Sequence, residues 1–187
     1  MTTATAWAED HFIAGNVALD FANTVYRRWP ELGADLFTNA EALTTWLTRT
    51  HLLPASDDPS SAVSEAALDD ARTLRAPLWT VFDAQKDDHT IPPHAFTGLL
   101  DTARRGLAGV TVNPDGSMTS RDADSAFAIL SLHAIALVLD PPTQGVRACD
   151  QCGWFFIDSS RGRQRRWCSM KTCGNQAKAA RYRSTHP

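Results

Sequence analysis

No stretch of this chain stays apolar long enough to cross a bilayer. The longest nearly unbroken apolar run, Ala126 to Leu139, is too short and contains His133. Nor does a basic segment precede an apolar one at the start. Met1 to Asp10 is small, polar and acidic, so the expectation is no signal peptide, no membrane contact and a cytoplasmic protein. Cysteine is missing from the first 148 residues. The sequence has no Gly-rich phosphate loop, no HExxH and no GxSxG, and without convergent titratable groups an enzyme is not expected. Internal repeats and low-complexity tracts are missing too. What is present is the balance of a soluble globular protein, 43% hydrophobic and 21% charged, with 187 residues for one ordinary domain plus an appendage or two small domains.

The formal net charge of -3 hides a strong asymmetry. From Arg147 onward the chain carries nine Lys and Arg against Asp150 and Asp158, a net +7, while the preceding 146 residues stand at −10. An acidic body with a basic, anion-seeking tail is the pattern.

The body reads as mainly helical. His11 to Val25 has a Gly15-Asn16 turn signal and an alternation that can begin as a strand and continue as a helix. Thr38 to Glu41 has capping-box spacing ahead of Leu43, Trp46 and Leu47, with an end near His51 to Pro54 and a loop over Asp57 to Ser61. A long helix is expected from Ser64 to about Lys86, kinked or split at Pro77, and another from Pro92-Pro93 to about Gly106. Val110 to Thr119 reads as a small β-hairpin around Asn-Pro-Asp-Gly, and Asp122 to Leu139 as the central core helix. Residues 1–142 are thus expected to form the helical domain, 143–146 a linker and 147–187 a separate module.

All four cysteines lie in that module: Cys149, Cys152, Cys168 and Cys173. C-x2-C, a hairpin-length spacer and C-x4-C bring four thiolates around one tetrahedral Zn²⁺. Two disulfides fit a cytosolic protein poorly. A four-thiolate site has no open position, so the ion is structural, and so small a module gains much of its folding free energy from it. Trp154 to Asp158 is strand-like and Arg165 to Cys168 is expected as the returning strand. Cys173 then leads into a helix over Asn175 to Arg183, giving a treble-clef-like order of knuckle, hairpin and helix. Ala177 and Ala180 are expected to pack on the hairpin.

Cys149-Asp-Gln-Cys-Gly-Trp-Phe-Phe-Ile-Asp-Ser-Ser-Arg161, Arg165-Arg-Trp-Cys-Ser-Met170 and Cys173-Gly-Asn-Gln-Ala-Lys178 resemble the CGNR zinc finger. Gly15-Asn-Val-Ala-Leu-Asp-Phe-Ala-Asn-Thr-Val25 and the Leu43–Leu47 helix resemble the ABATE domain, found fused to that finger in a family of stress-induced bacterial transcription regulators. The resemblance covers the whole chain. One position departs: the arginine of Cys-Gly-Asn-Arg is Gln176 here, which keeps an amide and loses a charge.

The expected function is therefore a bacterial transcription regulator. Arg161, Arg163, Arg165, Arg166, Lys171, Gln176, Lys178, Arg181 and Arg183 would contact DNA. The body would sense a small apolar or aromatic ligand, and a homodimer would engage two half-sites. The alternative is a zinc-stabilised protein-interaction module, in which finger arginines pair with acidic groups of the body. Trp154 and Trp167 are expected to pack beside the zinc rather than stack on bases. Asp20 and Asn23 are expected in turn and cap roles, and His133 in the core. Trp7, Trp29, Trp46 and Trp79 are expected in core packing rather than around a ligand cavity.

Overall fold

The computed structural model describes residues 5–55, 63–162 and 164–185. Six helices and two short hairpins follow one another along the described chain. A 3₁₀ turn at Glu9–His11 leads to α1 (Val17–Ala22), so the expected opening strand is replaced by irregular chain. Asn16 ends that stretch by capping the helix, its Oδ1 accepting from Ala18 N–H at 2.8 Å. Asn39 caps α2 (Ala40–Arg49) in the same way, each such cap satisfying one of the orphan amides of a helix start. The expected loop over Asp57 to Ser61 lies outside the described residues.

Ser64 caps α3 (Glu65–Lys86), which runs through Pro77 without splitting. Burial of Leu74, Leu78, Val81 and Phe82 along one face offsets the hydrogen bond that proline removes. Then come α4 (Pro93–Gly106), the hairpin of β1 (Val110–Val112) and β2 (Met118–Ser120), and α5 (Ala123–Leu139). Asp122 and Ser125 form a reciprocal capping box at the start of α5. Gly106 has no room for a side chain, because a Cβ there would lie 2.0 Å from the Asp124 carbonyl oxygen. That close approach lets α4 pack along α5, which also meets α1, α3 and the hairpin and is the central helix. Trp46, Phe21 and Phe37 fill the core beside it, with ring centroids 5.3 to 6.2 Å apart.

The basic module is stitched into this body. β3 (Val146–Ala148) pairs antiparallel with β4 (Phe155–Ile157), so the partner of the Trp154–Asp158 stretch is the segment before the first cysteine. Arg165 to Cys168 is not a strand: the Arg166 carbonyl accepts from Asp150 N–H at 3.0 Å, laying that segment along the knuckle. Phe155 and Phe156 are fully buried, and one continuous apolar cluster runs from Trp7 through α5 to the four cysteines. The free edge of β4 is completed by the body. Asn23 donates from Nδ2 to the Phe155 carbonyl at 2.9 Å and accepts from Phe155 N–H at 2.8 Å, and Ile157 N–H reaches the Ala14 carbonyl at 2.8 Å. A side-chain amide thus acts as a neighbouring strand. The last element, α6 (Asn175–Thr185), buries none of its residues, so the expected packing of Ala180 on the hairpin is replaced by a helix projecting into solvent.

Candidate metal centre and nucleic-acid surface

The β3–β4 hairpin positions the first two sulfurs. Cys149 N–H donates to the Trp154 carbonyl at 2.8 Å, and Gly153 N–H to the Cys149 carbonyl at 2.9 Å, closing a knuckle around Cys152. Gly153 turns with φ +74, and a Cβ there would press on Arg28 and Trp29. The other pair comes from the end of the arginine-rich segment and from a π-helical turn, Met170–Gly174, that carries Cys173 into α6. All four Sγ atoms lie within 4.8 Å of one another and all four cysteines are buried.

The sulfur separations test the metal. Cys152 and Cys168 are 3.6 Å apart, and Cys168 and Cys173 are 3.5 Å apart. A disulfide needs about 2 Å. Four thiolates about 2.3 Å from a tetrahedral Zn²⁺ lie about 3.8 Å from one another. The donor set fits one structural zinc with no position left for substrate. A zinc ion here would be held by the four sulfurs as thiolates, their protons released on binding.

Around this centre the expected contact residues have different surroundings. Arg165 is held in place: Nε donates to the Trp167 carbonyl at 2.8 Å, the far nitrogen reaches the Cys168 carbonyl, and the guanidinium lies 4.5 Å from the Phe156 ring centroid. Arg166 pairs with Asp150 at 2.7 Å and lies over Trp167. Arg163 lies outside the described residues. Arg161, Lys171, Gln176, Lys178, Arg181 and Arg183 are exposed, the last four on α6. From Ser159 to the end the chain contains no acidic residue.

Asp158 organises that segment, a role the sequence reading did not assign. Its buried carboxylate accepts from Ser160 Oγ at 2.6 Å, Ser160 N–H at 3.0 Å and Arg165 N–H at 2.8 Å, and pairs with Arg147 at 3.2 Å. The Ser160 hydroxyl and these further donors lower its pKa to about 2. Asp-Ser-Ser is an Asx-turn signature, the one local signal that pointed to it.

The body contributes three more residues to the joint. Arg28 pairs with Asp83 of α3 at 2.6 Å, donates to the Gly153 carbonyl at 3.3 Å and lies 4.1 Å from the Phe155 ring centroid. Asn23 is the C-cap residue of α1, as expected, and its side chain is in addition the strand mimic described above. Asp20 accepts from Ala14 N–H at 2.9 Å, and burial raises its pKa to about 7 against the pull of the Ala14 and Ile13 amides. Trp154 is buried with Nε1 on the Val25 carbonyl at 2.8 Å, so it packs beside the centre, as does half-buried Trp167. Trp7 and Trp46 are core residues, Trp79 is half-buried, and Trp29 is exposed, against expectation. His133 is half-buried, and desolvation lowers its pKa.

Two cavities open at the joint. One of about 940 Å³ is lined by Trp29, Lys86, Arg147, Arg165 and Arg166. The other, about 250 Å³, is lined by His11, Tyr26, Leu36, Trp154, Cys168 and Gln176. No helix among the described residues is long and apolar enough to cross a membrane.

Residues 15–141 match the ABATE family, described as "Putative stress-induced transcription regulator", and residues 146–186 match the CGNR zinc finger. No curated protein matches the chain.

Proposed function

We propose, on the premise that this chain belongs to the ABATE family and ends in a CGNR zinc finger, that it is a transcription regulator that binds DNA through that finger. The observation that carries the reading is the acid-free segment after Asp158, whose terminal helix buries nothing against its own body. A cationic helix held by its first turn to a rigid metal centre can enter a groove, where Lys178, Arg181 and Arg183 meet phosphates and Gln176 offers an amide to a base edge. Zinc is the scaffold of this surface and takes no part in chemistry. The interaction-module alternative asks for finger arginines paired with the body, whereas Arg147 and Arg166 pair with Asp158 and Asp150 of the finger itself.

A small apolar or aromatic effector fits the cavity of about 250 Å³ better than the filled helical core, since His11, Tyr26 and Trp154 line it together with Gln176 at the root of α6. A ligand there would bear on the reading helix directly. One finger offers limited contact area, so a homodimer on two half-sites is expected. The reading is that of a regulator in the cytoplasm.

The test is a salt titration of zinc-loaded protein on mixed duplex DNA fragments, beside the Lys178→Glu, Arg181→Glu, Arg183→Glu triple variant. Tight binding should fall steeply with salt, and the variant should bind at least about a hundredfold more weakly with a salt slope smaller by roughly 3. Absence of binding by folded, zinc-loaded protein at 50–100 mM salt overturns the reading, the salt range being about that over which phosphate contacts hold. Arg165 is unsuited to this test, because its reversal would disturb the carbonyls of two residues beside the metal.

A further inference from the structure

The loop between Val25 and Asp35 is unusual for its exposed apolar side chains. Tyr26, Trp29 and Leu32 are 63%, 62% and 61% exposed. Burying such groups is the ordinary outcome, and a cluster of large exposed ones marks a contact surface. The loop is held at its base and at Arg28 and Trp29. Val25 bridges to Asp35, Tyr26 N–H reaches the Ala34 carbonyl at 2.8 Å, and Gly33 N–H the Arg27 carbonyl at 2.9 Å. Buried Arg75 of α3 donates to Asp35 and to the Thr24 carbonyl, fixing the base of the loop to the core.

Its tip is fastened to the metal knuckle. Arg28 N–H and Trp29 N–H both donate to the carbonyl of Cys152, at 2.6 and 3.2 Å. The loop borders two parts of the finger, the Arg165–Arg166 segment and the root of α6. On one side Trp29 shares a cavity wall with Arg165 and Arg166, and on the other Tyr26 and Pro30 share one with Thr172 and Gln176 at the root of α6. An exposed aromatic tip with Lys86, Arg147, Arg165 and Arg166 along one cavity wall, and the root of the basic helix α6 along the other, matches a polyanion whose sugars and base edges offer apolar surface between phosphates.

We infer that the loop of residues 26–34 is the helical body's own contact with duplex DNA, and that Trp29 is an aromatic wedge against a sugar or a base step beside the finger's arginines. The inference rests on the DNA-binding reading above and extends the footprint from the finger to the body. It also gives the knuckle a second task, since the same zinc ligand that shapes the finger aims Trp29.

The experiment uses the zinc-loaded full chain on mixed duplex fragments, comparing the wild type with Trp29→Ala and Trp29→Phe. Trp29→Ala should bind about tenfold more weakly, with an unchanged salt slope because no cation is lost, and Trp29→Phe should recover part of the loss. In the wild type, the tryptophan emission accessible to acrylamide should fall on adding DNA, because Trp29 is the one exposed tryptophan among the described residues. This second readout decides the matter if Trp29→Ala should fail to fold. A wild type that binds while Trp29→Ala binds equally well and quenching is unchanged removes the loop from the surface and leaves the finger reading standing. A folded wild type that binds no DNA overturns both.

Discussion

Within the zinc module, residues 146–158 and residues 175–185 have opposite surroundings. The first stretch carries Phe155 and Phe156, fully buried in the same apolar cluster as the helices of the body, and its outer strand edge is completed by Asn23 and Ala14. The second is an eleven-residue helix with no buried residue and no acidic one. Both are tied to one metal centre. The difference shows how a small module can be part of a domain's core and still present a free surface: the zinc centre joins a half packed in the fold to a half exposed to solvent. A module hanging from a linker would set its terminal helix in no fixed direction, whereas here the root of α6 joins a metal knuckle whose hairpin is bonded to Asn23 and Ala14 of the body.

Chelation should have the largest effect and is the most direct way to break the comparison. Removing a structural zinc forfeits on the order of 10 kcal/mol of apparent binding free energy. In a free-standing finger the loss would stop at the module. Here the knuckle carries hydrogen bonds to Arg28 and Trp29 and the cysteines lie in the common core. The thermal midpoint of the whole chain should therefore fall with zinc removal, followed by circular dichroism at helical wavelengths. An unchanged midpoint for the helical signal would mean that the two halves are not sewn together.

A narrower cut is Asn23→Ala. The amide satisfies both the N–H and the carbonyl of buried Phe155, and its loss leaves two backbone groups without partners. Each orphaned buried group costs about 1–3 kcal/mol, so a loss of about 3 kcal/mol is expected in denaturant unfolding. α6 is untouched, so DNA affinity of the remaining folded protein should hardly change. Equal loss of stability and of affinity would erase the distinction between the halves.

Much of this was legible in the sequence where a signal is local. α5 was bounded by Asp122 and by Pro141-Pro142, and the cysteine spacing named the metal and its four sulfurs. The pairing within the finger was not, because β3 is three residues long and precedes the first cysteine, while Arg165 to Cys168 has strand-like composition but gives its carbonyls to Asp150 and Arg165. The sequence predicts only the cap role of Asn23, because nothing in its neighbourhood indicates a partner 132 residues away. Helical spacing predicts Trp29 in the core, and its exposure depends on backbone bonds to Cys152 that no periodicity encodes.

The smallest expected effect concerns the seat itself and its dependence on pH. Asp20 holds the Ala14 N–H, and the Ala14 carbonyl holds Ile157 of β4, so the carboxyl stands one residue behind the joint. Burial raises its pKa from the ordinary carboxylate value to about 7. The unfolded chain then loses this proton near pH 4 while the folded chain keeps it to about 7, so between those values the folded state binds more protons and stability falls as pH rises. From pH 5 to 8 this one group should remove about 2 kcal/mol of stability. Asp20→Asn keeps an acceptor for Ala14 and has no proton to lose, so its midpoint should decline less over the same range. Parallel pH profiles for the two proteins would place the carboxyl outside the seat's energetics. A flattened profile in Asp20→Asn, with DNA affinity unchanged at pH 7, would confine the pH response to the sewn half and leave the projecting helix out of it.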